Sequence, residues 1–65
     1  MKLSIPDMSC GHCKAVVERA IMAEDAAAKV AVDLDTRTAE VTSRATPEAV
    51  LAALDAVGYP ASLAD

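Results

Sequence analysis

The sequence predicts a small α+β domain with the element order βαββαβ, and two patterns predict it. In four short segments apolar residues alternate with polar ones, which is the period of a half-buried strand. In two longer segments apolar residues recur every three or four positions, which is the period of an amphipathic helix. The 65 residues are predicted to form one domain, residues 1–65, and a domain of this size buries only about 60% of its unfolded surface.

The first strand is predicted at residues 2–6, where Leu3 and Ile5 face inward and a proline ends the strand. Residues 7–11 then form a loop. Beyond this loop the spacing becomes helical, and the helix ends between residues 23 and 28, where consecutive alanines obscure its boundary. The inward stripe of this helix is predicted to be Cys13, Val16, Val17, Ala20 and Ile21.

The middle of the chain is predicted to form a β-hairpin. Residues 29–34 and residues 38–42 both alternate, and residues 35–37 between them suit a turn. The inward residues of the first of these strands are predicted to be Val30, Val32 and Leu34.

The second helix has clear signals at both ends. Thr46 can cap its start, Pro47 suits the first helical position, and Glu48 complements the helix dipole. Gly58 fits the C-terminal cap. A short last strand at residues 61–63 completes the chain. The inward stripe of this helix is predicted to be Val50, Leu51, Leu54 and Val57.

An element order of βαββαβ predicts a ferredoxin-like fold, with a four-stranded antiparallel sheet and both helices on one face. Tracing the strand directions brings three loops to one end of the domain. They are the loop before the first helix, the turn at residues 35–37, and the loop that contains Gly58 and Tyr59. Tyr59 is therefore predicted to lie beside Cys13.

The composition excludes several classes of function. The net charge is −4, from ten acidic and six basic residues without a Lys/Arg cluster, so nucleic-acid binding is not expected. The absence of Trp and Phe argues against a large aromatic-lined pocket. No segment has the length of a membrane span or of a signal-peptide core. Membrane insertion is therefore not expected, and the sequence predicts a cytoplasmic protein. A mature chain whose leader had been removed would look the same.

Both cysteines, Cys10 and Cys13, lie in a C-x-x-C motif at the start of the first helix. The free N–H groups and the positive dipole end of a helix favour thiolates there. Such a pair suits Cu(I), which is soft and tolerates two ligands, better than structural zinc, which takes four. Another soft ion, a redox pair and two unreactive thiols are the alternatives.

The chain resembles the heavy-metal-associated domain family, and most of all the small cytosolic copper(I) chaperones of bacteria. The resemblance rests on Met8, Cys10 and Cys13 in an M-x-C-x-x-C motif after the first strand, on the D-L-D sequence at residues 33–35, and on the G-Y pair before the last strand. It implies that the two cysteines bind copper, that Met8 packs beneath the loop and that the tyrosine shields the site. Asp7 stands where the family usually has glycine, and residues 24–28 replace a frequent Gly-Val step.

Four further residues are predicted around the thiols. Met8 is expected to fill the core rather than bind metal, because methionine packs flexibly. His12 is expected to face solvent, with a third-ligand role as the alternative. Lys14 can partly neutralise an anionic Cu(I)–dithiolate centre or simply be solvated. Tyr59 is expected to shield the site.

The predicted function is that of a copper(I) chaperone and not of an enzyme. It would hold one Cu(I) between Cys10 and Cys13 and pass it by ligand exchange to the metal-binding domain of a copper-transporting P-type ATPase. A metal-bridged homodimer is a second form that such a site allows. The alternatives are a regulatory metal-binding domain of a copper ATPase, a thiol–disulfide oxidoreductase, and a mercury-binding protein of similar fold. The start at Met1 and the short C-terminal end favour a free protein.

Overall fold

The computed structural model describes residues 1–64 and contains the six predicted elements in the predicted order. Within these residues, no helix is both long enough and apolar enough to cross a membrane. The strands are β1 (Lys2–Ser4), β2 (Lys29–Asp33), β3 (Thr38–Thr42) and β4 (Ser62–Leu63), and the helices are α1 (Gly11–Glu24) and α2 (Pro47–Ala56).

The four strands form one antiparallel sheet in the order β2-β3-β1-β4. Lys2 of β1 pairs with Glu40 of β3, and β1 pairs on its other side with β4. Val30 of β2 pairs with Val41 of β3, which confirms the predicted hairpin. The topology is the predicted ferredoxin-like one.

A single hydrophobic core lies between the sheet and the two helices. Leu3, Ala39 and Val41 supply it from the sheet, and their strand neighbours on the opposite face are polar. Apart from Val57, both predicted helical stripes face this core, although Val16 and Leu51 are only half-buried. The buried residues are Leu3, Ile5, Met8, Cys13, Val17, Ala20, Ile21, Ala39, Val41, Val50 and Leu54.

Three strands are shorter than predicted, and β4 begins at Ser62 rather than at residue 61. β1 ends at Ser4, although Ile5 beyond it is fully buried. β2 ends at Asp33, so Leu34 lies in the turn. Val30 and the other inward residues of β2 are half-buried rather than buried, because β2 is an edge strand that has a neighbour on one side only.

Asp25 ties the end of α1 to the segment between β3 and α2. Its carboxylate accepts hydrogen bonds from the backbone N–H of Arg44 (2.9 Å), the backbone N–H of Ala27 (3.0 Å) and the hydroxyl of Ser43 (3.0 Å). These bonds, that of Arg44 first, lower the pKa of Asp25. This cluster lies at the C-terminal end of α1. Because α1 has 14 residues, the cluster is about 20 Å from the start of the helix.

The C-terminal end of α2 forms a Schellman motif. The N–H of Gly58 donates to the carbonyl of Asp55 (3.1 Å), and the N–H of Tyr59 donates to the carbonyl of Leu54 (2.9 Å). Gly58 has a φ of 86°, which is in the left-handed region. Val57 has left the helix and is 43% exposed, so its predicted place in the inward stripe is wrong.

We expect the substitution Gly58→Ala to destabilise the domain by about 1–2 kcal/mol, the usual cost of placing a Cβ in the left-handed region. Gly11→Ala is the matched control, because Gly11 lies in the first turn of α1 and a Cβ there has open space. Urea denaturation measures both effects. Equal stabilities of the two variants would contradict the expected role of Gly58.

Candidate metal centre

The two thiols lie at the start of α1 and point at one another. Cys10 is the N-cap residue, with extended backbone angles, and its carbonyl accepts the first helical hydrogen bond from the N–H of Lys14 (3.0 Å). Cys13 is the third residue of the helix. An N-cap side chain and the side chain three residues later meet across the helix start, as in a capping box. The Sγ atoms of Cys10 and Cys13 are accordingly 3.3 Å apart, and both thiols are free.

The two thiols differ in environment. Cys10 is exposed, whereas Cys13 is 9% exposed and belongs to the core. Hydrogen bonding to the Tyr59 hydroxyl, to the backbone N–H of Ser9 and to the Cys10 thiol lowers the pKa of Cys13 to about 6, although burial opposes the shift. These contacts favour the thiolate form of Cys13.

Tyr59 lies beside Cys13, as predicted from the strand directions. The Schellman motif turns the chain at Gly58 and sets the half-buried Tyr59 ring against the core. Hydrogen bonding of its hydroxyl to the Cys13 sulfur, followed by burial, raises the pKa of Tyr59, and the charge of Asp7 adds to the shift. The raised pKa favours the protonated phenol, which can donate a hydrogen bond to the Cys13 sulfur.

The remaining predicted residues separate into one that is buried and two that are exposed. Met8 is fully buried, and its N–H donates to the carbonyl of Ile5 (3.0 Å). His12 and Lys14, in the first turn of α1, are both exposed. The structure thus brings Tyr59 and the two thiols together, with Met8 in the core that lies under them.

Sequence reasoning missed two contributors to this end of the domain. One is the backbone N–H of Ser9, which carries no side-chain signal. The other is Arg37, whose guanidinium Nη1 donates to the carbonyl of Pro6 (2.9 Å) and whose own carbonyl accepts from the N–H of Ile5 (2.8 Å). The predicted meeting of the turn at residues 35–37 with the cysteine loop was the available signal for Arg37.

The two sulfurs are the soft donors that this site could offer to a metal. Among residues 1–64, no three His, Cys, Asp or Glu side chains converge as a group that could hold an ion. Thiolates favour soft cations. The exposed position of Cys10 leaves one side of the pair open to solvent, so a cation and an incoming ligand can both reach it.

We expect one thiol of the reduced protein to ionise near pH 6, as followed by the ultraviolet absorbance of the thiolate. Tyr59→Phe should raise this midpoint towards the ordinary thiol pKa of about 8.5, because the variant loses the hydroxyl that favours the charged form. Because folding lowers this pKa, the free energy of unfolding should increase as the pH rises from about 6 to about 8.5. The same stabilisation is lost as the pH falls back through about 6. Cys13→Ser, the control, should lack the transition. An unchanged midpoint in Tyr59→Phe would contradict the role of the phenol.

Comparison with known proteins places these features in a family. Residues 2–60 match the heavy-metal-associated domain. The mercuric transport protein periplasmic component of Pseudomonas fluorescens is 36% identical over an aligned length of 64 positions, and the match covers 94% of this chain and 70% of that protein.

Two solved structures are similar over nearly their whole length. A gold binding protein is 38% identical, with 94% of each chain covered and a TM-score of 0.91. The copper chaperone Atx1 from Synechocystis is 32% identical, with 95% of this chain and 98% of that chain covered and a TM-score of 0.92. The chain therefore belongs to the heavy-metal-associated domain family, as a metal-binding protein of the chaperone type.

Proposed function

We propose that this protein is a copper(I) chaperone that holds one Cu(I) between Cys10 and Cys13. The observation that carries the proposal is the pair of sulfurs 3.3 Å apart, one of them exposed and the other anchored in a helix. Thiolates are soft ligands, and Cu(I) accepts two of them without further donors. The similarity to the Synechocystis copper chaperone supports the same cargo.

Loading requires the sulfurs to separate. With a metal–sulfur distance of about 2.3 Å, the value for zinc and thiolate, a linear arrangement needs roughly 4.6 Å between the sulfurs. Cys13 is held by α1 and the core, so Cys10 at the end of its loop makes this movement of more than about 1 Å. The exposed position of Cys10 is consistent with this division of roles.

We assign supporting roles to four neighbours. Met8 packs in the core under the loop, and Tyr59 shields the thiolate of Cys13 from water and donates a hydrogen bond to it. Lys14, one residue beyond Cys13, offsets part of the negative charge of the Cu(I)–dithiolate centre. His12 faces solvent and becomes a ligand only in a metal-bridged homodimer.

Transfer proceeds by ligand exchange with the C-x-x-C domain of a copper-transporting P-type ATPase. A partner thiolate adds to the exposed side of the ion and forms a three-sulfur bridge. The bond to Cys13 breaks first, because the loop lets Cys10 follow the ion. Only metal–sulfur bonds form and break, so the protein is not an enzyme. We propose that residues 1–65 act as one domain in the cytoplasm, where thiols stay reduced.

Mercury is the second candidate cargo. The 36% identity with the periplasmic component of a mercuric transport system favours it, and the same two thiolates suit this soft ion. Anaerobic titrations with Cu(I), Hg(II) and Zn(II) against competing chelators distinguish these cargoes. The proposal expects one Cu(I) per monomer and weak zinc binding, whereas zinc that competes with Cu(I) would exclude a two-sulfur copper site.

We expect direct transfer of Cu(I) to an apo metal-binding domain of a copper ATPase. The transfer should be faster than release to a chelator that does not contact the protein, and it should slow as salt rises because long-range attraction assists the encounter. Stopped-flow mixing of loaded protein with the apo domain measures the rate. Transfer no faster than release to the chelator would leave the protein a passive copper buffer.

A further inference from the structure

The segment between β1 and α1, residues 5–9, carries Met8 and leads directly to Cys10. Pro6 has no N–H, so the sheet cannot extend through it. Within the segment, the N–H of Met8 donates to the carbonyl of Ile5 (3.0 Å), which forms a tight turn. Pro6, Asp7 and Ser9 are exposed. The position of Cys10 therefore depends on what holds this segment to the rest of the domain.

Arg37 holds the segment at two points. Its backbone carbonyl accepts a hydrogen bond from the N–H of Ile5 (2.8 Å), and its guanidinium Nη1 donates to the carbonyl of Pro6 (2.9 Å). The two bonds lie on either side of the peptide that joins Ile5 to Pro6. Together they join the β2–β3 turn to the base of the cysteine loop.

The backbone of Arg37 is itself unusual. It has a φ of 57°, in the left-handed region where glycine is favoured. Among residues 1–64, Arg37 is the one non-glycine residue with a positive φ. The carboxylate of Asp33 fixes the preceding turn by accepting from the N–H of Asp35 (2.9 Å) and of Thr36 (3.3 Å). Glycine would suit the backbone better, but it would have no side chain to reach Pro6.

We propose that Arg37 is a positioning residue that clamps the base of the cysteine loop and so limits how far Cys10 moves from Cys13. The inference rests on the proposed function of these two thiols as the metal site. Loading requires Cys10 to move outward, and the clamp confines that movement to the residues beyond Pro6. A loop held in this way keeps the second thiolate close to a bound ion and slows its loss.

The first test uses the metal-free, reduced protein and is independent of the cargo. Amide hydrogen exchange is compared between Arg37→Met, which removes the donor, Arg37→Lys, which retains one, and Arg19→Met, which removes an equal charge from the exposed face of α1. Exchange at Ile5 and Met8, whose N–H groups donate to the carbonyls of Arg37 and Ile5, should accelerate in Arg37→Met relative to the core amide of Ile21, and Arg37→Lys should restore it. A purely structural role would change loop and core amides together, and that result would overturn the proposal.

The second test measures Cu(I) release to a chelator. Arg37→Met should release the ion roughly 3- to 10-fold faster, below the 10- to 100-fold loss of affinity typical for residues that contact ligands directly. Arg37→Lys and Arg19→Met should behave as wild type. Arg37→Gly gives a variant free of backbone strain, so its melting temperature should not fall although its release also accelerates.

The outcomes separate the two proposals. If wild-type protein takes up no Cu(I), the proposed function fails, while the amide exchange of the metal-free protein still supports or overturns the clamp. If wild-type protein binds Cu(I) but Arg37→Met retains wild-type loop exchange or wild-type release, the positioning role of Arg37 is overturned.

Discussion

Replacing either cysteine with serine is expected to abolish tight Cu(I) binding. Cys10 and Cys13 supply the two sulfurs of the proposed site, 3.3 Å apart, and one thiolate cannot replace a chelate. The loss should exceed the 10- to 100-fold typical when an outer partner of a metal ligand is removed. Competition with a Cu(I) chelator under anaerobic conditions measures the affinity of Cys10→Ser and of Cys13→Ser.

His12→Ala is the matched control for the cysteine variants. His12 lies between the two cysteines, is exposed, and has no assigned bond to the ion in the monomer, so its replacement should change the affinity little. Circular dichroism checks that each variant is folded, since Cys13 also contributes to the core. Wild-type affinity in Cys13→Ser would refute the assignment of the metal site.

Met8→Ala is expected to cause the largest loss of stability. Met8 is fully buried in the core, and truncating a buried methionine to alanine costs about 2–5 kcal/mol. A domain of this length has a free energy of unfolding of only a few kcal/mol up to about 10. Urea denaturation of the metal-free protein should therefore find Met8→Ala partly or largely unfolded.

Met8→Leu separates packing from metal binding. This substitution roughly conserves volume, so it should cost less than about 1.5 kcal/mol and leave Cu(I) affinity nearly unchanged. It therefore serves as the folded counterpart of Met8→Ala. A large loss of Cu(I) affinity in folded Met8→Leu would show that the sulfur of Met8 binds the ion.

The predicted start of α2 was confirmed because its signals are local. The Oγ1 of Thr46 accepts from the N–H of Ala49 (3.2 Å), and Pro47 is the first residue of α2. The C-terminal end of α1 could not be assigned to a residue, because alanines beyond Glu24 continue a helix-favouring composition. In the structure Asp25 is the residue after the last helical one. Its carboxylate accepts hydrogen bonds from the Ser43 hydroxyl and the Arg44 N–H, which are distant in the sequence.

The place of Tyr59 was predictable by a different route. Once the strand directions are known, the loop after α2 has to lie at the same end as the start of α1. The Tyr59 hydroxyl reaches the Cys13 sulfur because Gly58 reverses the chain there. Helical periodicity, in contrast, failed for Val57, which continues the apolar stripe of α2 but follows the last helical residue.

The sequence by itself determined the order of elements, the fold and the pairing of Cys10 with Cys13. These features follow from residue spacing within single segments, since periodicity sets the element type and an i, i+3 pair at a helix start converges. Only the tertiary structure decided the contact with Tyr59 that lowers the pKa of Cys13, the anchoring of the cysteine loop by Arg37 and the hydrogen bonds of Asp25 at the far end. Each of these depends on hydrogen bonds between residues far apart in the chain, whose distances no local pattern encodes.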